Sequence, residues 1–187
     1  MPGTKEFAAA IVPDRWRVFG FKLRPLCLGN WLLLHRACPR LFEADQVADV
    51  TAVILAAMIC STEYDPKRPT SCLQTGWLFT LRAALIRFAC MRVPGLFTTR
   101  LVIFQRYIEQ SSKTPRVWRV APGEPGGSGT PWEVHLLTTL LQSGVGLADA
   151  MQMPLGAAWW ISACVHERAG IVQVDDSDDD AGGNGHA

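Results

Sequence analysis

Apolar residues recur along most of this chain at three- and four-residue intervals, and that rhythm predicts a helical protein. The exception is the stretch Trp16-Arg17-Val18-Phe19-Gly20-Phe21-Lys22-Leu23-Arg24-Pro25-Leu26, where apolar and polar residues alternate. It fits either a short strand or an extended arm ahead of the first helix. Pro25 opens a leucine-rich helical run, Leu26 to Arg36, which Cys38-Pro39 ends. Asp45 is a good N-cap for a second helix, with Val47, Val50, Ile54 and Met58 at helical spacing as far as Ser61. The prolines at 66 and 69 make Tyr64 to Ser71 a loop. A third helix is expected from about Leu73 to Arg92, aligning Leu78, Leu81, Leu85 and Phe88 on one face. Val93-Pro94-Gly95 breaks it, and Phe97, Leu101, Phe104 and Ile108 mark a fourth.

Residues 115–131 hold the run Pro122-Gly123-Glu124-Pro125-Gly126-Gly127-Ser128-Gly129, a flexible linker by composition. Directly after it, Thr130-Pro131-Trp132-Glu133 has the form of a capping box with proline at the first helical position. That helix is expected to end at Gln142 before Ser143-Gly144-Val145-Gly146. A short turn, Leu147 to Met151, precedes Pro154, which can start a last helix reaching Arg168, with Gly170 as its stop. The expected fold is therefore all-α, an irregular helical bundle in two subdomains, with the short β arm as the one extended element. The boundaries are 1–112 for the N-terminal subdomain, 113–130 for the linker, 131–172 for the C-terminal subdomain and 173–187 for a tail.

Charge modifies this picture at two places. The formal net charge of +1 combines a basic body with a tail holding Asp175, Asp176, Asp178, Asp179 and Asp180, a block that composition marks as solvated and disordered. Between Trp77 and Arg119 the arginines Arg82, Arg87, Arg92, Arg100 and Arg106 stand with Lys113, Arg116 and Arg119 against a single acid, Glu109. They are either the solvated outside of two helices or a basic face that attracts nucleic acid or an acidic partner. The most apolar stretch, Val50 to Cys60, lies between Asp49 and Ser61-Thr62-Glu63, far short of the ~20 residues needed to cross a bilayer, so no membrane partner is expected. No secretory signal is recognisable before Pro13, which makes the cytoplasm the expected location.

Candidate chemistry is sparse. Cys27, Cys38, Cys60, Cys72, Cys90 and Cys164 include no CxxC pair, and most sit in apolar runs where a thiol behaves as a small hydrophobe. They are expected to be reduced and structural. His166-Glu167 lacks the second histidine of a zinc-protease helix, while His35, His135 and His186 stand alone, so neither a metal nor another cofactor is expected. A Cys–His nucleophile stays open in principle, but Cys60 and Cys90 lie in apolar helices that disfavour the thiolate. No catalytic residue is assigned. The helix–turn–helix outline of the C-terminal part fails as a DNA reader, because its last helix begins Pro154-Leu155-Gly156-Ala157-Ala158-Trp159-Trp160 and offers no group for base edges. Those residues suit packing against protein. One of the adjacent tryptophans can enter the core while the other covers a neighbouring surface.

Two stretches carry a resemblance. One is Phe19-Gly20-Phe21-Lys22-Leu23-Arg24-Pro25-Leu26-Cys27-Leu28-Gly29-Asn30 with its leucine-rich helix and the later Ile59-Cys60-Ser61. The other runs from Gly146-Leu147-Ala148-Asp149-Ala150-Met151-Gln152-Met153-Pro154-Leu155-Gly156 through Trp159 to Glu167-Arg168-Ala169-Gly170. Together they resemble small helical proteins of phage and prophage tail-morphogenesis clusters, and are similar to tail assembly chaperones. The resemblance implies a non-enzymatic protein of the host cytoplasm that coats an aggregation-prone tape-measure protein. The glycine-rich 122–129 run and the extra cysteines depart from that family. On this reading Trp132, Met151, Met153, Leu155 and Trp159 are the expected partner contacts, self-association stays open, and nucleic acid bound by Arg82, Arg87, Arg92, Arg100 and Arg106 is the alternative.

Overall fold

The computed structural model describes residues 16–42, 48–73, 76–115, 117–119 and 131–174. Asp45, Val47, Thr130, the Gly-rich run at 122–129 and the acidic tail lie outside the described residues, as does the side chain of Cys72. Seven α-helices and four short strands are described: β1 (Arg17–Val18), β2 (Phe21–Lys22), α1 (Leu28–Ala37), α2 (Val50–Ser61), α3 (Trp77–Arg92), α4 (Leu96–Ser111), β3 (Val117–Arg119), α5 (Trp132–Gln142), α6 (Leu147–Gln152), α7 (Leu155–Arg168) and β4 (Val172–Val174).

The alternating first stretch forms a hairpin, with Val18 opposite Phe21 and Arg17 opposite Lys22. Its tight turn holds both Phe19 (φ 50°) and Gly20 (φ 77°) in the left-handed region, the pairing of backbone twists that a two-residue hairpin needs. Phenylalanine pays an unfavourable backbone energy there, about 1–2 kcal/mol. The turn is held from outside: Nη2 of Arg82 donates to the Phe19 carbonyl at 3.2 Å, and the guanidinium lies 3.7 Å over the Phe21 ring.

Helix α2 is the centre of the molecule. Val53, Ile54, Ala56, Ala57, Ile59 and Cys60 are all fully buried, because α1, α3, α4 and β2 pack around it. Asn30, a buried polar residue of α1, donates from Nδ2 to the Thr62 carbonyl at 3.1 Å and so ties α1 to the end of α2. Tyr107 of α4 is wholly buried and donates its hydroxyl to the Arg24 carbonyl at 2.7 Å.

The C-terminal helices join the same core rather than forming one of their own. Leu136, Leu140, Ala150, Leu155 and Ala158 belong to the cluster that also holds Leu26, Leu28, Leu34 and Ile54. The backbone reinforces the junction: Leu155 N–H donates to the Leu26 carbonyl at 2.7 Å, and Leu28 N–H to that of Met153 at 3.3 Å. Each of these polar groups precedes or opens a helix and has no partner within it.

Local expectations are adjusted at several boundaries. Helix α2 starts at Val50 with Asp49 in the capping position and no side-chain cap bond. Ser71–Leu73 is a separate 3₁₀ turn, and α3 begins only after Gly76. At α5 the cap position is Pro131, with no side-chain cap bond, and Glu133 Oε1 accepts from Nε1 of Trp31 at 3.2 Å. A second two-stranded ribbon pairs β3 with β4, Val117 opposite Val174, inside the stretches expected to be linker and tail.

Candidate functional site

Helix α3 is built from strong helix formers with no glycine or proline between Trp77 and Arg92, and Val93-Pro94-Gly95 stops it. Packing uses only one side of it. Ala83 is its one buried residue, with Phe79 and Ile86 half-buried against the core. The opposite side carries Trp77 (73 % exposed), Leu78 (63 %), Leu81 (50 %), Leu85 (61 %), Phe88 (52 %) and Met91 (77 %). Val93 continues the strip past the helix end. A helix that is apolar all round normally has both sides covered. These side chains make a contiguous apolar strip along the helix rather than the single scattered apolar residues normal on a surface.

The ridge has a geometry of its own. Leu78, Leu81, Leu85 and Phe88 are spaced three, four and three residues apart, the seam spacing by which one helix receives the knobs of another. At about 100° per residue, Arg82 and Arg87 fall on opposite margins of the apolar arc, and Arg92 falls within it at the C-terminal end. Arg82 is held by Phe19 and Phe21, while the Arg92 guanidinium lies 5.0 Å over the Phe88 ring. Among the described residues the ion pair is Arg24–Glu63 at 2.6 Å, so none of the five expected basic-face arginines has an acidic partner there. Arg82, Arg87 and Arg92 frame the α3 ridge, and Arg100 and Arg106 belong to α4.

The expected partner contacts lie elsewhere and mostly inward. Leu155 is fully buried, and Met151 and Met153 pack half-buried against the core. Trp132 sits between Trp31 (ring centroids 5.6 Å apart) and Trp159 (5.3 Å, interplanar angle 25°). The series continues through Trp31 to His35 and Phe42, the last two stacked at 3.9 Å. These rings are the seam that binds α5 and α7 to α1, with Leu155 behind it. Period and composition could not separate that role from an open surface. The sequence aligns Leu78, Leu81, Leu85 and Phe88 on one face, but the same spacing serves a core-facing helix, so it could not show that this face stays open.

Among the described side chains, Ser162 Oγ and His166 Nδ1 lie 3.4 Å apart on α7. A cleft of about 370 Å³ is lined by Arg24, Cys27, Asn30, Glu63, Tyr64 and Gln152, but burial pushes the Cys27 thiol up and no histidine lines it. Burial also raises the thiols of Cys38, to about 11, and Cys90. His135 and His166 meet with parallel rings 5.6 Å apart, yet among the described residues no three His, Cys, Asp or Glu side chains gather as a metal site. Cys27, Cys38, Cys90 and Cys164 carry free thiols. No described helix is long and apolar enough to cross a membrane. No protein-family model matches the chain, and no curated protein and no solved structure is similar to it, so a functional reading rests on the α3 surface itself.

Proposed function

We propose that this protein is a non-enzymatic binding protein that shields an aggregation-prone helical segment of a larger protein. That is the role of a tail assembly chaperone toward a tape-measure protein, exercised in the host cytoplasm. The observation that carries the reading is the uncovered ridge Trp77, Leu78, Leu81, Leu85, Phe88 and Met91 on an otherwise packed helix. A chaperone needs apolar surface that is available without unfolding, and this ridge supplies it where the Trp132–Trp159 seam does not. The nucleic-acid alternative has less behind it: Arg82 is engaged by the hairpin, and a phosphate backbone would meet apolar side chains between the remaining arginines.

The test is co-expression with a tape-measure-like long protein whose gene lies beside this one. Leu81→Glu with Leu85→Glu should abolish co-purification and the gain in soluble partner, while thermal stability shifts by less than about 1 kcal/mol because both sites are exposed. Trp159→Ala should act in the opposite way, lowering stability by about 2–4 kcal/mol through loss of the stack on Trp132. Its residual folded fraction should still bind. A partner equally soluble alone, or bound undiminished by the double glutamate variant, would overturn the reading.

A further inference from the structure

We infer that the occupant of the α3 ridge is an acidic amphipathic helix, one with apolar residues at seam spacing and carboxylates along its flanks. This deepens the reading above and rests on it. Two features select a helix over a flat apolar surface. The three-four-three spacing of Leu78, Leu81, Leu85 and Phe88 makes successive holes for the knobs of a second helix. The ridge runs the length of a sixteen-residue helix, about 24 Å at 1.5 Å per residue, which a partner helix of similar length covers.

Charge selects the acidic character. Helix α3 contains Arg82, Arg87 and Arg92 and no acidic residue, and Arg87 and Arg92 are exposed without an ion pair among the described residues. A second copy of this chain would bring three more arginines and no carboxylate, so the ridge is not complementary to itself. The chain's own aspartates at 175–180 supply charge but stand in a segment with no apolar residue larger than alanine, which cannot fill the seam. An anionic bilayer would also meet the charge. It fits less well because Arg92 stands inside the apolar arc, where hydrocarbon would surround a cation, whereas a carboxylate on a partner helix can reach it.

The experiment uses the full chain and two designed helical peptides of about eighteen residues. Both carry leucine at the seam positions; one has glutamate and the other lysine at the flanks. Fluorescence anisotropy should show the glutamate peptide binding at least about tenfold more tightly, with the preference shrinking as salt rises. Arg87→Glu with Arg92→Glu, both exposed and checked for unchanged helix content, should reverse the order of the two peptides. Equal binding of the two peptides, abolished by Leu81→Glu with Leu85→Glu, would overturn the acidic inference and leave the apolar-ridge reading standing. Binding to phosphatidylglycerol vesicles but to neither peptide would overturn it too, as would a dimer that those two substitutions dissociate. If the peptide preference holds while co-expression has no effect on the long neighbouring protein, the chaperone assignment alone fails.

Discussion

At the scale of single residues, the tightest constraint is at Gly29. A β-carbon there would lie 2.6 Å from Cγ, Cδ1 and Cδ2 of Tyr64, whose ring is 9 % exposed. Alanine would gain about 1 kcal/mol of helix propensity, but overpacking of this kind costs about 1–3 kcal/mol, and Cγ at the root of the ring cannot swing aside. Gly29→Ala is therefore expected to destabilise by up to about 2 kcal/mol in urea denaturation, and a stabilised variant would show that Tyr64 yields. The thiols make a second prediction. Cys164 is exposed while Cys27, Cys38 and Cys60 are buried, so a thiol reagent at mildly alkaline pH should label Cys164 first and those three only on unfolding. Burial raises the Cys38 thiol from 9.0 to about 11, so the unfolded chain releases that proton first as pH rises. Stability is intact below pH 9, falls between 9 and 11, and this contribution is gone above. Cys27 and Tyr107, raised chiefly by burial, add in the same direction. Cys38→Ala should flatten that alkaline slope in equilibrium unfolding.

At the scale of elements, α2 and α3 are the instructive pair. Both present a continuous apolar face, yet α2 is enclosed and α3 buries only Ala83. The ribbon of β3 and β4 shows a different effect, since Val117–Arg119 and Val172–Val174 are held by each other and not by local sequence. Truncation after Val174 should lose less than about 1 kcal/mol, because it leaves all three register pairs in place. Truncation after Ile171 removes β4 and should lose clearly more, about 1–3 kcal/mol for the ladder bonds and the packing of β4 near α7. Equal stability of the two truncated chains, measured by chemical denaturation, would show that the ribbon contributes nothing.

At the scale of the whole molecule, the two expected subdomains behave as one. Their core residues form a single cluster, and Trp31–Glu133, Leu26–Leu155 and Tyr64–Gln152 hydrogen bonds cross between them. Unfolding should therefore be one cooperative transition, with far-ultraviolet circular dichroism and tryptophan fluorescence giving coincident curves. Two separated transitions would show that 131–172 folds independently of the rest.

Helix existence was legible because it depends on neighbours three and four residues away: the leucines of α1, the Val93-Pro94-Gly95 break and the Gly170 stop all act locally. The stretch of β1 and β2 was legible as extended for the same reason, but its turn at Phe19-Gly20 was not. Which face of each helix is covered was not, since burial is set by whatever packs there from distant parts of the chain. Leu155 and Leu81 have similar sequence surroundings, but Leu26 and its neighbours close over the first and nothing in the described fold closes over the second. Glu133 has the spacing of a local capping partner, and nothing local announces that it also accepts from Trp31 of α1. The pairing of Val117 with Val174 is likewise a long-range event that β-rich composition permits and tertiary packing selects. Local hydrogen bonding and hydrophobic period thus determined the elements, and the shared core alone decided which apolar surface remains free to bind.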